Sequence, residues 1–371
     1  MSTTDTGRCR LDAVSRPANQ RWLRRLAAPA ACVAGGLMMQ AGAFSQTSLG
    51  LTAVEGIKVG HHTLAGRLTG CTVVLTEAGA VAGVDVRGGA PGTRETDLLN
   101  PTKTVQQVHA IVLSGGSAFG LDAAGGVMRY LSERDIGYDT RVAKVPIVPA
   151  AILFDLGIGD DPTIRPTAEC GYLAASAATA GPVTEGNVGA GAGATLGKMG
   201  GPGRAMKGGT GSASISLPNG LVVSALVAVN AVGDVIDPAT GQVVAGVRSE
   251  DGRSLADARV LLRAGGTTRS RQGENTTIGV VATNATLDQA QATVMAQMAH
   301  DGFARAIAPA HTPNDGDAIF ALATGVYDQP VSLSTVGALA ADVMAEAIVR
   351  AARAATGIPG YPAARDLKAG R

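Results

Sequence analysis

Apolar positions recur along the chain in two rhythms. Runs of strand length occupy Gly70 to Leu75, Val81 to Val86, Ala110 to Leu113, Leu221 to Val229, Thr277 to Thr283 and Ala318 to Ala323. The near-continuous run Leu221 to Val229 predicts a strand covered on both faces, and Thr277 to Thr283 repeats the pattern. Elsewhere the spacing is helical. Leu121, Ala124, Met128 and Leu131 mark a helix from about Ala118 to Glu133. Thr286-Leu287-Asp288-Gln289 has the form of a capping box opening a helix to about Ile307, and Ser334 to Ala355 reads as a long Ala-rich helix stopped by Gly357 and Pro359. Gly125-Gly126 inside the first helix is unfavourable by roughly 1 kcal/mol per glycine relative to Ala, which predicts a backbone packed closely against it. Strands and helices mix without a regular βαβ repeat, so the pattern predicts a layered α/β sandwich.

Composition changes the picture of the core. Of 371 residues 46% are hydrophobic, but only 3% are aromatic and 51 are glycine, so the core is built from Val, Leu, Ile and Ala with close backbone approaches. No Pro/Ser-rich linker or charge run divides the chain after Leu51, which favours one large domain. A formal net charge of +1 leaves no electrostatic footprint for nucleic acid or an anionic membrane surface, whereas small uncharged or zwitterionic partners fit.

Residues 1–43 read as an export signal. Arg21, Arg24 and Arg25 precede the apolar stretch Leu26 to Met39, and Ala41-Gly42-Ala43 supplies a small-x-small cleavage pattern before Phe44. The stretch is short and rich in Ala and Gly, so no stable membrane span is expected once it is removed, and the mature protein is expected in the periplasm or outside the cell. A misassigned start or a disordered basic tail is the alternative. Cys9 and Cys32 belong to this segment, leaving Cys71 and Cys170. Two cysteines do not make a disulfide scaffold; inert burial is the favoured state, with pairing left open.

Candidate chemistry centres on Gly273-Glu274-Asn275-Thr276-Thr277-Ile278. If the Asn275–Thr276 bond breaks, Thr276 becomes an N-terminus that carries a hydroxyl nucleophile and a free amine on one residue. The amine suits the role of base because an α-amino group titrates at about 7.7–8.0. Asn275-Thr276-Thr277 also reads as the plain opening of a strand. Gly189 to Lys198 does not make a nucleotide loop, since Ala192 and Met199 stand where a phosphate-cradling motif needs Gly and Ser or Thr. His61, His62, His109, His300 and His311 show no metal-ligand spacing, so neither a metal nor any other cofactor is expected.

Four further motifs surround the Asn-Thr junction: Val84-Asp85-Val86-Arg87-Gly88-Gly89-Ala90-Pro91-Gly92-Thr93, Leu113-Ser114-Gly115-Gly116-Ser117-Ala118-Phe119-Gly120-Leu121, Gly189 to Lys198, and His311-Thr312-Pro313-Asn314-Asp315-Gly316-Asp317. In this order, over roughly Gly50 to Thr324, they resemble the P1 peptidase family, the group of DmpA-type aminopeptidases, β-peptidyl aminopeptidases and nylon-oligomer hydrolases. The resemblance implies an αββα sandwich of the DmpA and ornithine acetyltransferase type, with two central sheets flanked by helices. It implies self-cleavage at Asn275–Thr276 into an upstream chain, 44–275, and a downstream chain, 276–371, and a homo-oligomer, in its fullest form a tetramer of such pairs.

The resemblance also assigns roles. Thr276 is the nucleophile; Lys198 and Asn230 stabilise charge at the reacting carbonyl; Asp315 and Asp317 hold the nucleophile, as two acidic residues do at the matching positions of nylon-oligomer hydrolases. Ser114, Gly115, Gly116 and Phe119 line the substrate pocket with Phe154, which stands where the nylon-hydrolase branch has a tyrosine. Taken alone, Asp315-Gly316-Asp317 is an ordinary turn, Asn230 a turn-starting residue, Lys198 a solvated lysine and Ser114 to Gly120 a packed helix start. The reading that results is an exported, self-processing amide hydrolase, aminopeptidase-like, acting on small peptides or related amides. An acyltransferase on the same fold and a non-enzymatic periplasmic binding protein are the alternatives.

Overall fold

The apolar runs become a nine-stranded mixed sheet in a computed structural model that describes residues 49–266 and 275–367. Its strands are β1 (Lys58–Thr63), β2 (Gly70–Val86), β3 (Gln107–Ser114), β4 (Ala150–Ile152), β5 (Gly209–Ser216), β6 (Val222–Asn230), β7 (Thr276–Ala285) and β8 (Ala318–Tyr327), with the short edge strand Thr93–Arg94. They run in the order β5-β6-β7-β8-β2-β3-β4 and then the edge strand, with β1 also paired to β2. Neighbours are antiparallel except β7 with β8 and β3 with β4. The expected export segment lies outside the described residues.

One strand does the work expected of two. The stretch between Leu75 and Val81 looks like a turn in sequence, but β2 runs through it as a single 17-residue strand. The turn-forming residues are absorbed as an irregularity: Leu75 pairs with Ala110 whereas Ala80 pairs with Val108, and Gly79 takes φ +86°. The first half of β2 pairs with β1 and the second half with β8, while β3 pairs with residues 71–75 and again at Ala80 and Val81. The two expected sheets are therefore joined by hydrogen bonds through β2.

Side-chain alternation shows the layers. Helices α1 (Ala123–Ser132), α2 (Ala168–Ser176), α3 (Gln289–Ala306) and α4 (Leu333–Ala354) cover the two outer faces. Val223, Ala225, Val227 and Val229 of β6 pack with Ile319 and Ala321 of β8 against α3 and α4. The alternate residues Leu226 and Ala228, with Ile278, Val280, Phe320 and Leu322, face Val74, Ile111, Leu113 and Ala151 across an inner layer. Cys71, Val73, Ala110 and Val112 turn outward onto α1 and α2. The order helix, strand, strand, helix is the αββα sandwich, and period-two alternation of apolar residues on both faces builds it.

Local details refine the sequence reading. The expected 118–133 helix is a 3-10 turn, Ser117–Asp122, followed by α1. Only one of its paired glycines meets a backbone: a Cβ on Gly126 would collide with the Ala168 carbonyl of α2, whereas Gly125 faces open space. The capping box of α3 is Asp288 with Gln291, two residues beyond the expected start at Thr286. Cys71 and Cys170 are disulfide-bonded, joining β2 to α2, so the favoured reading of inert burial is replaced by pairing.

Candidate active site

Strand direction brings the chemistry to one end of the sheet. The parallel strands β7 and β8 both start there, and the antiparallel β6 ends there. Thr276, the first residue of β7, is directly opposite Asn230, the last residue of β6. Asp315-Gly316-Asp317 leads into β8, and Asn275 bridges to Asp315. Asn230, Asn275, Thr276, Asp315 and Asp317 are all at most 2% exposed, so charges and polar groups here interact with little screening.

The Asn275 carbonyl oxygen receives two donors. The Thr276 hydroxyl hydrogen-bonds to it, and the Gly316 N–H donates to it at 2.9 Å. The side chain of Asn275 has the opposite situation: both Nδ2 and Oδ1 are buried without a hydrogen-bond partner among the described residues. Such unsatisfied groups each cost about 1–3 kcal/mol. The residue before the junction is thus held by its backbone and destabilised by its side chain.

The acidic loop is clamped from behind. Arg87 and Gly88 N–H groups donate to the Asp317 carbonyl at 3.0 and 3.2 Å, and Ala90 N–H to the Asp315 carbonyl at 2.8 Å. A Cβ on Gly88 would collide with the Asp317 amide nitrogen, which explains the glycine of that upstream motif. Asp317 Oδ1 accepts from the Thr277 N–H at 2.8 Å, and its Oδ2 accepts from His311 N–H at 3.0 Å and lies 2.9 Å from His311 Nδ1. His311, which shows no metal-ligand spacing in sequence, is bonded directly to this acid and stacks on Phe303 of α3.

Asp315 is differently placed. Its Oδ2 accepts from the Thr312 hydroxyl at 2.6 Å and the Thr312 N–H at 2.9 Å, while Oδ1 is buried without a partner among the described residues. Burial, and then the charge of Asp317, push its pKa up to about 6, against the pull of Thr312 and Lys198. Two carboxylates with environments this different are poised for different tasks.

Lys198 and Asn230 meet on the other side. Lys198 Nζ donates to Asn230 Oδ1 at 2.9 Å and to the Asn230 carbonyl at 3.2 Å. Asn230 Oδ1 also accepts from Thr195 N–H at 2.9 Å, and Asn230 Nδ2 donates to the Phe154 carbonyl at 2.9 Å. With its oxygen tied to Thr195 and Lys198, the amide is fixed with Nδ2 as donor.

A cleft of about 370 Å³ adjoins this side, lined by Phe154, Asp155, Thr195, Lys198 and Tyr361 among others. Ser114, Gly115, Gly116 and Phe119 are not in its lining. Ser114 is buried, Gly116 N–H donates to Asp155 Oδ1 at 2.9 Å, and Phe119 is 53% exposed beneath the Arg165 guanidinium. Asp155, which sequence reasoning missed, links that loop to the cleft: its carboxylate also accepts from Thr69 Oγ1 at 2.6 Å and Arg67 Nη2 at 3.0 Å. Tyr361 and the Gly316 amide were also missed; neither a tyrosine distant in sequence nor a backbone donor leaves a local signal. Among the described residues no group of three or more His, Cys, Asp or Glu side chains is gathered for a metal ion.

Comparison with known proteins supplies the family and the fold. Peptidase family S58 matches residues 50–365. An uncharacterised aminopeptidase of Mycobacterium leprae is 46% identical over 341 residues, covering 84% of this chain and 92% of its own. A 6-aminohexanoate-oligomer endohydrolase of Kocuria is 31% identical over 312 residues, covering 80% and 84%. Among solved structures, a Burkholderia β-aminopeptidase superposes with a TM-score of 0.61 at 25% identity, covering 83% of this chain and 87% of its own. The Ochrobactrum anthropi L-aminopeptidase D-Ala-esterase/amidase, a variant of the Ntn-hydrolase fold, does so with a TM-score of 0.61 at 22% identity, covering 85% and 89%. The chain is a hydrolase and belongs to peptidase family S58.

Proposed function

We propose that this hydrolase cuts itself at Asn275–Thr276 and then uses Thr276 as an N-terminal nucleophile on small amide substrates. The observation that carries the reading is the pair of donors on the Asn275 carbonyl oxygen, Thr276 Oγ and Gly316 N–H. The first places the hydroxyl beside the bond it would attack; the second stabilises the negative charge that develops on that oxygen. In the shift, Thr276 Oγ bonds to the Asn275 carbonyl carbon, the carbon–nitrogen bond breaks, and the hydroxyl proton ends on the released amine. Water then hydrolyses the ester, leaving an Asn275 carboxylate and a free Thr276. Release also frees the unsatisfied Asn275 side chain to reach water.

On substrate the steps repeat. The Thr276 amine takes the hydroxyl proton, Oγ attacks the substrate carbonyl, the leaving amine departs protonated, and water resolves the acyl-threonine. The open Oδ1 of Asp315 is the acceptor for the new ammonium, Asp317 holds Thr277 and hence the start of β7, and Asn230 Nδ2, one hydrogen of which is on the Phe154 carbonyl, offers the other to the oxyanion. The cleft lined by Phe154, Lys198 and Tyr361 receives the substrate. The names of the relatives, aminopeptidase and 6-aminohexanoate-oligomer endohydrolase, support small peptides or related amides as the class. Export to an oxidising compartment accords with the Cys71–Cys170 disulfide and the N-terminal pattern.

The test is a set of substitutions at one position. Thr276→Ala is expected to stay a single folded chain without amidase activity; Thr276→Ser, which keeps the hydroxyl, is expected to cleave. A Thr276→Ala protein that still cleaves at the same bond would place the nucleophile elsewhere.

A further inference from the structure

Lys207 is a fully buried lysine, 0% exposed, on a short strand that pairs with Thr195-Leu196. Its ammonium donates to three backbone carbonyls: Gly191 at 3.1 Å, Ala194 at 2.8 Å and Gly208 at 2.8 Å. Among the described residues no carboxylate bonds to it; burial pushes its pKa down to about 7, and the more distant charge of Asp155 acts against that shift. Burying a charge without an ionic partner is costly, and an apolar side chain of similar length would fill the same space. The residue therefore has a use beyond packing.

That use follows from the peptide group it holds. The carbonyl of Ala194 receives the ammonium, and the N–H of the same peptide group, on Thr195, donates to Asn230 Oδ1 at 2.9 Å. In a trans peptide the two point opposite ways, so a cation on the carbonyl polarises the N–H into a stronger donor. The same step passes on through the Asn230 amide, whose Nδ2 becomes the better donor. We propose that Lys207 is a positioning residue for the reaction: through the Ala194–Thr195 peptide its ammonium fixes and polarises Asn230, which is directly opposite Thr276, as a donor to the oxyanion in self-cleavage, beside Gly316 N–H, as well as on substrate.

The inference rests on the proposed self-processing reading, and the chain's own cleavage provides the readout without any assumed substrate. Full-length protein is made by cell-free synthesis, and the fraction cleaved is followed over time on denaturing gels for wild type, Lys207→Met, Asn230→Ala and the double variant. Lys207→Met is expected to fold and to cleave about 10- to 100-fold more slowly, less than loss of a whole oxyanion donor. The double variant is expected to be no slower than Asn230→Ala, because Lys207 acts through Asn230. Wild-type cleavage in folded Lys207→Met, or losses that multiply in the double variant, would overturn the proposal. A wild-type chain that never cleaves would instead remove the reading on which it rests.

If Lys207→Met does not fold, Lys207→Ala is synthesised in the presence of methylammonium or ethylammonium. Recovery of cleavage with either amine, and none with tetramethylammonium, is the expected result, since the cradle needs N–H donors. No recovery with any amine in a folded Lys207→Ala protein would count against the proposal. A purely structural role would alter the melting temperature without following the Asn230 cycle.

Discussion

A methyl group at Gly316 is predicted to stop self-cleavage almost completely. The glycine lies between the two acids, and its N–H is the second donor to the Asn275 carbonyl. A Cβ built there would lie 2.7 Å from the Ala90 carbonyl oxygen and 2.8 Å from Thr276 Oγ. To regain an ordinary contact of 3.4 Å the hydroxyl must move by about 0.6 Å, or the loop must shift and draw its N–H away. Misplacement by about 1 Å costs roughly 10²-fold, and loss of one oxyanion donor about 10²–10³-fold, or about 2.7–4 kcal/mol. Gly316→Ala is therefore expected to cleave at least about 10²-fold more slowly than wild type. The assay is a time course of cleavage after cell-free synthesis, with a thermal melt to confirm the fold. Cleavage of a folded Gly316→Ala protein within threefold of wild type would refute the assigned role of the loop.

Three other outcomes follow from the geometry. Because burial and Asp317 raise Asp315 to about 6, cleavage and amidase rates that need its carboxylate should rise with pH through about 6, and Asp315→Asn should flatten that limb in a pH–rate profile. The sign for stability is opposite: a carboxyl raised above its unfolded value of 3.8 stabilises the fold below that value and loses the contribution as pH climbs through about 6, so the pH dependence of chemical denaturation should lose this component in Asp315→Asn. Arg67→Met leaves the Asp155 carboxylate buried without its cation, at an expected cost of about 3–5 kcal/mol by urea denaturation. Cys170→Ser opens a link across 99 residues of sequence and should lower stability by about 2–5 kcal/mol, as should a reductant on wild type but not on the variant.

Much of the fold was legible because strand and helix periods survive in a core of small apolar residues. Leu221 to Val229 read correctly as a strand covered on both faces, since both its alternating sets are apolar. What escaped was whatever depends on partners far away in sequence. The continuity of β2 through Gly79 depends on β3 accommodating the irregularity, and the open space at Gly125 beside the crowded Gly126 depends on where α2 lies. At the site, motif order pointed to Thr276, Asn230, Lys198 and the two acids, and the fold gathers them at one sheet end because β7 and β8 run parallel. Lys207, buried on three carbonyls, reads in sequence as any other lysine, and Arg67 and Asp155 are 88 residues apart. The resemblance assigns Phe119 to the pocket, but the left-handed turn at Gly116 leads the chain outward to an exposed ring.

The central claim is that one peptide bond of this chain is its own first substrate, and intact-mass analysis of purified protein under denaturing conditions tests it most directly. The account predicts two species, the smaller with the mass of Thr276–Arg371, and a single full-length mass for Thr276→Ala. An uncleaved wild-type chain that nevertheless hydrolyses amides would contradict the N-terminal-threonine mechanism, and a smaller species beginning at any other residue would move the nucleophile.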